Sequence, residues 1–445
     1  MFGLSKIIAM NNKIGIRQED KYAMERRVAI PSALVKSLTQ KASLQFEVES
    51  SSKRIFTDKE YLEAGAQIID NKFQAPVIFG VKEMPLNFFE PKKTYVFFSH
   101  VIKGQAYNMP MLRTMMEKKC NLIDYERIVD NKGRRLIFFG RFAGLAGMIN
   151  TLWSLGERLK TKGMETPFLK IKQSHSYYSL QDAKQAVREA GNEMAKNGLP
   201  SSLHPLIIGI TGYGNVSRGA QEILDLLPVD EISPKHLLDA NVRKLLSPDR
   251  IYKVIFKEAD MSVPLEEDKE FDLQEYYKHP ERFRGVFERY LPYLSVLMNC
   301  IYWDDRYPRI VTKKFLKSMF SNADPRLTVI GDVTCDPNGS VECTFKGTTI
   351  EDPVFTYDPI ADKYQMGFDG PGILDMAVDI LPSELPRESS EAFGKALAPY
   401  IASIAKADYS APFTELELPN PVKKAMILHQ GKLTPDYQYL KQYVT

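Results

Sequence analysis

Long apolar runs are missing from this chain of 445 residues. None approaches the ~18 residues that a bilayer crossing needs, so no transmembrane helix is expected. Cysteine is scarce: Cys120, Cys300, Cys335 and Cys343 are all there are, with no CxxC pair and no histidine at metal-ligand spacing. A disulfide scaffold and a zinc ribbon are therefore not expected, nor is any metal. Cys300 and Cys343 stand in apolar or β-branched surroundings and read as small buried hydrophobes. Charge of one sign is also lacking, since 59 basic and 56 acidic residues leave +3. That balance gives no polyanion signature and disfavours nucleic acid as a partner. The opening MFGLSKIIAMNNK is too short and too weakly charged for a signal or transit peptide, so a cytoplasmic location is expected. Internal repeats and low-complexity segments are absent as well.

What is present is ordinary globular composition, 44% hydrophobic and 26% charged. At ~150 residues per domain the chain accommodates two or more. The first third alternates strand and helix. IGIR reads as a strand, residues 31–41 as a helix entered through Pro31, and LQFEVE as a strand. Thr57 followed three residues later by Glu60 carries a capping-box signature. PVIFGVK and TYVFFSH are apolar runs of strand length, suited to strands buried on both faces. A helix over 105–119 and the strand NLIDYERI follow. This alternation predicts an α/β fold with mostly parallel sheets. Residues 140–160 read as a small-residue helix able to pack closely between domains, and 180–196 as another helix. Residues 235–290 read as an irregular, charged insertion, and from Pro386 the chain looks helical again.

LIIGITGYGNVSRGA (206–220) is the first segment with chemistry in it. An apolar strand leads to Gly212 and Gly214, and an amphipathic helix follows, with Ser217 where a dinucleotide fingerprint has its third glycine. Gly212 suits the tight turn. Gly214, with Asn215, Val216 and Ser217, opens a helix N-terminus whose free N–H groups suit a pyrophosphate. A nicotinamide cofactor usually meets Asp or Glu about 20 residues further on, at its adenosine ribose. VDEIS reads as the strand that reaches that place, ending at Ser233 with Lys235 and His236 behind it. A hydroxyl beside cations suits a 2′-phosphate, so NADPH/NADP+ is expected in preference to NAD.

Lys82 ends PVIFGVK and His100 ends TYVFFSH. Ligands of open parallel sheets bind beyond the carboxyl ends of the strands, so both side chains are candidate proton-transfer groups. The other histidines, His175, His204, His236, His279 and His429, read as surface or loop residues, His236 excepted as a phosphate neighbour.

The segments IRQEDKYAMERRVAI, GVKEMP, FFSH, IDYERIVDNKGRRLIFFGRFAGLAGMIN, NCIYWDDRYPRIVT, GDVTCD and LPSELPRESSEAFG follow in this order. From about residue 14 to about 441 the chain resembles the saccharopine dehydrogenase (lysine-forming) and lysine-ketoglutarate reductase family. The likeness is close to the reductase half of bifunctional α-aminoadipic semialdehyde synthase, with alanine dehydrogenase more distant. YYKHPERF, in the insertion, resembles that synthase more than the fungal single-function enzymes. The resemblance implies two Rossmann-like domains with an interdomain active-site cleft. They would be 1–140 with 386–445 for substrate, and 141–385 for the dinucleotide, carrying the insertion near 235–290. It implies acid/base roles for Lys82 and His100. It places Arg17, Lys82, Gln105, Arg135 and Phe139 near substrate. Near the cofactor it places Arg134, the glycine turn, Asn299, Cys300, Ile301, Tyr302 and Asp332. The fungal pattern has an acidic residue at the ribose, where Ser233 is read here. Nothing remains for a saccharopine-oxidising half, so that step falls to another protein or this is an excised unit.

The implied reaction condenses L-lysine with 2-oxoglutarate. An imidazole titrating near ~6.5 can move protons at neutral pH, whereas a lysine needs lowering from roughly 10.4. Glu83 and Glu126, if near, would oppose that lowering. Two substrate carboxylates call for guanidinium groups, and Arg17, Arg26, Arg27, Arg134, Arg135 and Arg141 are the supply. A homo-oligomer or an association with a saccharopine-oxidising enzyme is compatible with this reading. The rivals are another amino-acid or opine dehydrogenase of the same fold, and a catalytically silent nucleotide-binding regulator.

Overall fold

The computed structural model describes residues 11–70, 72–322 and 325–444. Most of the opening segment read for a leader, residues 1–10, lies outside them. The chain forms two compact units, Met1–Phe139 with Pro386–Thr445, and Gly140–Leu385.

The first unit is built on an eight-stranded sheet. Its order is Lys432–Leu433, Met426–His429, Asn121–Asp124, Thr94–Phe97, Val77–Phe79, Lys13–Ile16, Gln45–Glu49, Gln67–Ile69. The six N-terminal strands run parallel, Met426–His429 is antiparallel to Asn121–Asp124, and Lys432–Leu433 is antiparallel in turn to Met426–His429. Val77–Phe79 and Thr94–Phe97 are buried throughout, which is why they read as unbroken apolar runs rather than alternating ones. Thr57 closes both halves of its capping box with Glu60, and the short helix Asp58–Glu63 then gives way to the strand Gln67–Ile69. His429, expected at the surface, is a buried strand residue whose Nε2 lies 2.9 Å from the Ala411 carbonyl.

The second unit carries another eight-stranded sheet. Its order is Lys363–Met366, Val354–Asp358, Ile373–Met376, Val329–Asp332, Val296–Asn299, Leu206–Thr211, Ile251–Phe256, Val229–Glu231. Six of these are parallel, and Val354–Asp358 runs against its neighbours. Two expectations change here. Residues 251–256 lie inside the stretch read as irregular, yet they form a long strand paired along the whole glycine strand. Val229–Glu231 is pushed out to the sheet edge, where it pairs with Ile251–Phe256.

Helix Gly140–Thr161 is as rich in small residues as expected, and its glycines make close contacts inside the second unit. A Cβ at Gly144 would stand 1.8 Å from the Val216 carbonyl oxygen, and one at Gly219 2.1 Å from that of Arg141. These glycines let the long helix press against Asn215–Leu224, the helix that the glycine turn opens. The true insertion begins after Phe256. It comprises a helical turn Glu258–Met261, an antiparallel pair Ser262–Pro264 with Phe283–Gly285, and the helix Leu273–Lys278 between them. Among the described residues no helix is long and apolar enough to cross a membrane.

Candidate functional site

Lys82 and His100 each stand three residues beyond the end of a strand, after Val77–Phe79 and Thr94–Phe97, which are parallel neighbours. His100 adopts φ 50°, a left-handed conformation uncommon outside glycine and the kind of strain found at functional sites. Its carbonyl accepts from Asn108 Nδ2 at 3.1 Å, and its ring stacks on Phe98 at 6.2 Å. His100 Nδ1 lies 2.8 Å from Glu83 Oε1, while Lys21 Nζ lies 2.8 Å from Glu83 Oε2. Burial alone would raise the Glu83 carboxyl, but His100 and Lys21 overcome it and hold Glu83 down at about 2. An ionised Glu83 accepts from Nδ1–H, which leaves Nε2 as the histidine atom for a ligand's proton.

Lys82 is half-buried, with its ammonium 5.8 Å from the Tyr22 ring centroid. Below it, the buried Glu19 accepts from the backbone N–H groups of Val81 and Lys82 at 2.7 and 2.9 Å. Burial pushes the Glu19 carboxyl up to about 7 against the pull of Arg17. Burial would also raise Glu25, but the charges of Arg27 and Lys82 bring it below its ordinary value. Buried Asp124, which accepts from Ser99 and from Glu126 N–H, is raised by burial to about 6. The two strand ends thus carry one lysine, one histidine and a set of buried carboxyls.

Arg17 follows its strand directly and is buried. One nitrogen pairs with Asp20 at 2.7 Å, and Nε and Nη1 have no hydrogen-bond partner among the described residues. Two buried guanidinium nitrogens left over point to an anion as the missing partner. Gln105, Arg135 and Phe139 were also expected at substrate. Gln105 is exposed in the loop after His100 and accepts from Tyr107 at 2.9 Å. Arg135 is half-exposed and ion-paired with Glu126. Phe139 stacks on Phe393 at 4.5 Å under the Arg27 guanidinium, and its ring lies 6.1 Å from Phe98, which stacks on His100. Arg134, expected near the cofactor, is exposed in a turn of this unit and paired with Asp130 at 2.7 Å.

In the second unit the glycine turn has the expected form. Leu206–Thr211 is buried throughout, Gly212 turns at φ 83°, and Gly214 caps helix Asn215–Leu224. A Cβ at Gly214 would meet nothing within 4 Å, so space lies open in front of the helix N-terminus. That cradle fits a dinucleotide phosphate. A cavity of about 270 Å³ adjoins it, lined by Gly212, Gly214, Glu258, Tyr277, Cys300 and Tyr302 among others. Cys300, Ile301 and Tyr302 lie side by side in that lining. Asn299 and Asp332 are buried behind this wall. Asn299 Nδ2 donates to Asp332 Oδ1 at 2.8 Å, and Asn299 Oδ1 accepts from Thr211 at 3.1 Å. Val216 packs against the long helix, and buried Ser217 accepts from Gln221 at 3.0 Å.

Ser233 does not follow the strand that pairs with the glycine strand. It follows the edge strand and caps the short helix Pro234–Leu238, accepting from His236 N–H at 3.1 Å. The strand that reaches the glycine turn is Ile251–Phe256, whose Phe256 carbonyl accepts from Gly212 N–H at 2.8 Å. Sequence reasoning missed Glu258 and the aromatic wall of Tyr213, Tyr276, Tyr277, Trp303 and Tyr307. The signal was there: IYKVIF is a strand-length run broken by one charge, Lys253, and tyrosines are dense in the insertion. Glu19 was also missed. Among the described residues no cluster of metal ligands occurs.

Residues 15–146 match the family model for the alanine dehydrogenase/PNT N-terminal domain, and residues 302–436 that for the C-terminal domain. The chain is 38% identical over 446 residues to an alpha-aminoadipic semialdehyde synthase of Arabidopsis thaliana, covering 97% of this chain and 41% of that protein. It is 36% identical to the mitochondrial synthase of Mus musculus, covering 96% and 47%. Against the saccharopine dehydrogenase [NAD(+), L-lysine-forming] of Emericella nidulans the identity is 27%, covering 88% and 92%. The chain thus spans less than half the length of the synthases it matches. An L-alanine dehydrogenase structure superposes with TM-score 0.63 at 17% identity, covering 97% of this chain and all of that one, which establishes the shared fold.

Proposed function

We propose, for a chain that belongs to the saccharopine dehydrogenase and lysine-ketoglutarate reductase family, that it reductively condenses L-lysine with 2-oxoglutarate to saccharopine. The observation that carries the reading is the His100–Glu83–Lys21 relay beside Lys82 at two adjacent strand ends, with Arg17 offering unpartnered buried nitrogens on the next strand. The lysine ε-amine attacks the keto carbon only when neutral, and the carbonyl oxygen leaves as water. His100 Nε2 and Lys82 Nζ are the groups to accept the amine proton and to deliver protons to that oxygen. Arg17 would bind one carboxylate of the keto acid. A nicotinamide dinucleotide bound at the glycine turn would supply hydride. Gly212, Gly214 and the N-terminus of helix Asn215–Leu224 would hold its phosphates.

The expected preference for NADPH rested on Ser233 as the ribose contact, and the strand order removes that support. A steady-state assay with lysine, 2-oxoglutarate and either reduced nucleotide, with saccharopine identified by mass, tests the reading. Turnover of another amine or keto acid in place of these would assign a different dehydrogenase. Nucleotide binding without turnover of any amine would favour the regulator.

A further inference from the structure

Lys82 leaves the chain from a bend, not from a strand. Its strand, Val77–Phe79, has already ended, and Val81 and Lys82 form the bend that follows. On one side the bend is tied by backbone: Gly80 N–H donates to the Val96 carbonyl at 3.0 Å, and Phe98 N–H donates to the Val81 carbonyl at 3.0 Å. On the other side the neighbouring strand stops at Ile16, and Arg17 N–H donates to the Phe79 carbonyl at 3.1 Å. Past that point a side chain takes over from the strand. Buried Glu19 accepts from Val81 N–H on Oε1 at 2.7 Å and from Lys82 N–H on Oε2 at 2.9 Å. Consecutive N–H groups of an extended strand point to opposite sides, whereas two that converge form a concavity suited to both oxygens of a carboxyl group. A single carbonyl would serve one of them. Glu83, next in the chain, has its own anchors in His100 and Lys21, each at 2.8 Å. The clamp therefore bears on Lys82.

We infer that Glu19 is a positioning residue of the reaction: by holding both N–H groups of the bend, it fixes the direction in which Lys82 reaches the reacting atoms. Glu19 acts through Lys82 and not on the substrate, so the inference rests on the acid/base reading of that lysine. A buried N–H without an acceptor is costly, so a bend that loses the clamp shifts until water or another group meets both donors. Lys82 Nζ, at the far end of a long side chain, moves with it.

Steady-state kinetics of the whole chain with lysine, 2-oxoglutarate and a reduced nicotinamide dinucleotide test it, with Glu19 altered in two backgrounds. Misplacing a reacting group by about 1 Å costs roughly 10²-fold, so Glu19→Leu, of similar size but without an acceptor, should lower kcat about 10- to 100-fold. KM for the nucleotide should stay near wild type. In a Lys82→Met chain the same change should lower kcat by less than about threefold, because no lysine is left to misplace. Glu19→Gln keeps one acceptor and should recover most of what leucine loses. Hydrogen exchange at the Val81 and Lys82 amides should quicken about tenfold or more in Glu19→Leu. Equal losses in both backgrounds would make Glu19 a general support of its unit and overturn the inference. Near-normal kcat in Glu19→Leu, glutamine no better than leucine, or unchanged exchange at both amides would overturn it too. If Glu19→Leu does not fold, as judged by melting, Glu19→Asp, one methylene short, decides by the same comparison of backgrounds. Turnover that needs Lys82 but not Glu19 sinks this inference alone. Normal turnover in Lys82→Met sinks the acid/base reading and the inference with it.

Discussion

Glu83 fixes what His100 can do. With Nδ1 engaged at 2.8 Å by a carboxylate held at about 2, the imidazole keeps one tautomer and presents Nε2. His100→Ala and Lys82→Met should each lower kcat by about 10²- to 10⁴-fold while nucleotide affinity stays near wild type. The kcat pH profile should lose an ionisation in each, and near-normal kcat with an unchanged profile would make both residues bystanders. Arg17→Ala should raise KM for the keto acid by about ten- to hundredfold, the worth of a lost charge-assisted hydrogen bond. A fall in nucleotide affinity with KM unmoved would remove Arg17 from the substrate. Glu19 supplies a pH signature. Burial lifts it from an ordinary 4.5 to about 7, so folding favours its protonated form. The stability that proton confers is complete below about 4.5 and is lost as pH rises through about 7. Glutamine cannot lose the proton, so Glu19→Gln should gain on wild type between pH 5 and pH 8, by up to about 3 kcal/mol. Glutamine's poorer fit to two N–H donors shifts both values equally, so the difference between the two pH values is the measurement. No difference would mean that Glu19 is ionised throughout.

At the scale of elements, the contact between helices Gly140–Thr161 and Asn215–Leu224 decides where the phosphate cradle stands. A Cβ at Gly144 meets a backbone oxygen at 1.8 Å, which no side-chain rotation relieves. Alanine gains about 1 kcal/mol of helix propensity over glycine, but overpacking against backbone costs about 1–3 kcal/mol or more, so the clash should win. Gly144→Ala should therefore lower the melting temperature and weaken nucleotide binding together. A stabilised variant with normal binding would show that the helices have room to part. The elements themselves were largely legible, because VIF, TYVF and LIIGIT are buried on both faces and Thr57 announces its own helix. Their neighbours were not. Nothing local in VDEIS says that it lies at the sheet edge, and the charged residues after Ser233 hid IYKVIF. Ser233 was misplaced for that reason: strand adjacency is set by long-range pairing, which a local pattern does not encode. The placement of Lys82 and His100 was legible because apolar strands ending in polar residues report their own carboxyl ends. Glu19 escaped notice because its burial depends on loops from a different strand.

Over the whole molecule, the first unit is discontinuous. Its sheet is completed by Met426–His429, which pairs with Asn121–Asp124 through Met426↔Ile123 and Leu428↔Leu122. Tyr439 donates to the Ile102 carbonyl at 2.8 Å, and a Cβ at Gly104 would sit 2.5 Å from the Tyr443 ring. The last residues therefore brace the loop that carries Gln105. Removing the chain from Asn420 onward should leave Asn121–Asp124 as a bare edge with unpaired backbone groups, and such edges associate. Light scattering should show oligomers growing with concentration. A monodisperse truncated chain would mean that the hairpin adds little to the sheet.

That discontinuity also sets a schedule for synthesis. When the ribosome has made residue 139, the first sheet still lacks its closing hairpin and helix Pro386–Lys406, and all of Gly140–Leu385 must be translated first. At about 5–20 residues per second, the wait until His429 is roughly 15 to 60 seconds. The second unit, continuous in the chain, can close during that interval, so the part begun first is finished last. Throughout the wait the strand that precedes Tyr125 has no partner on its outer side, and this nascent edge is the one a chaperone would have to cover.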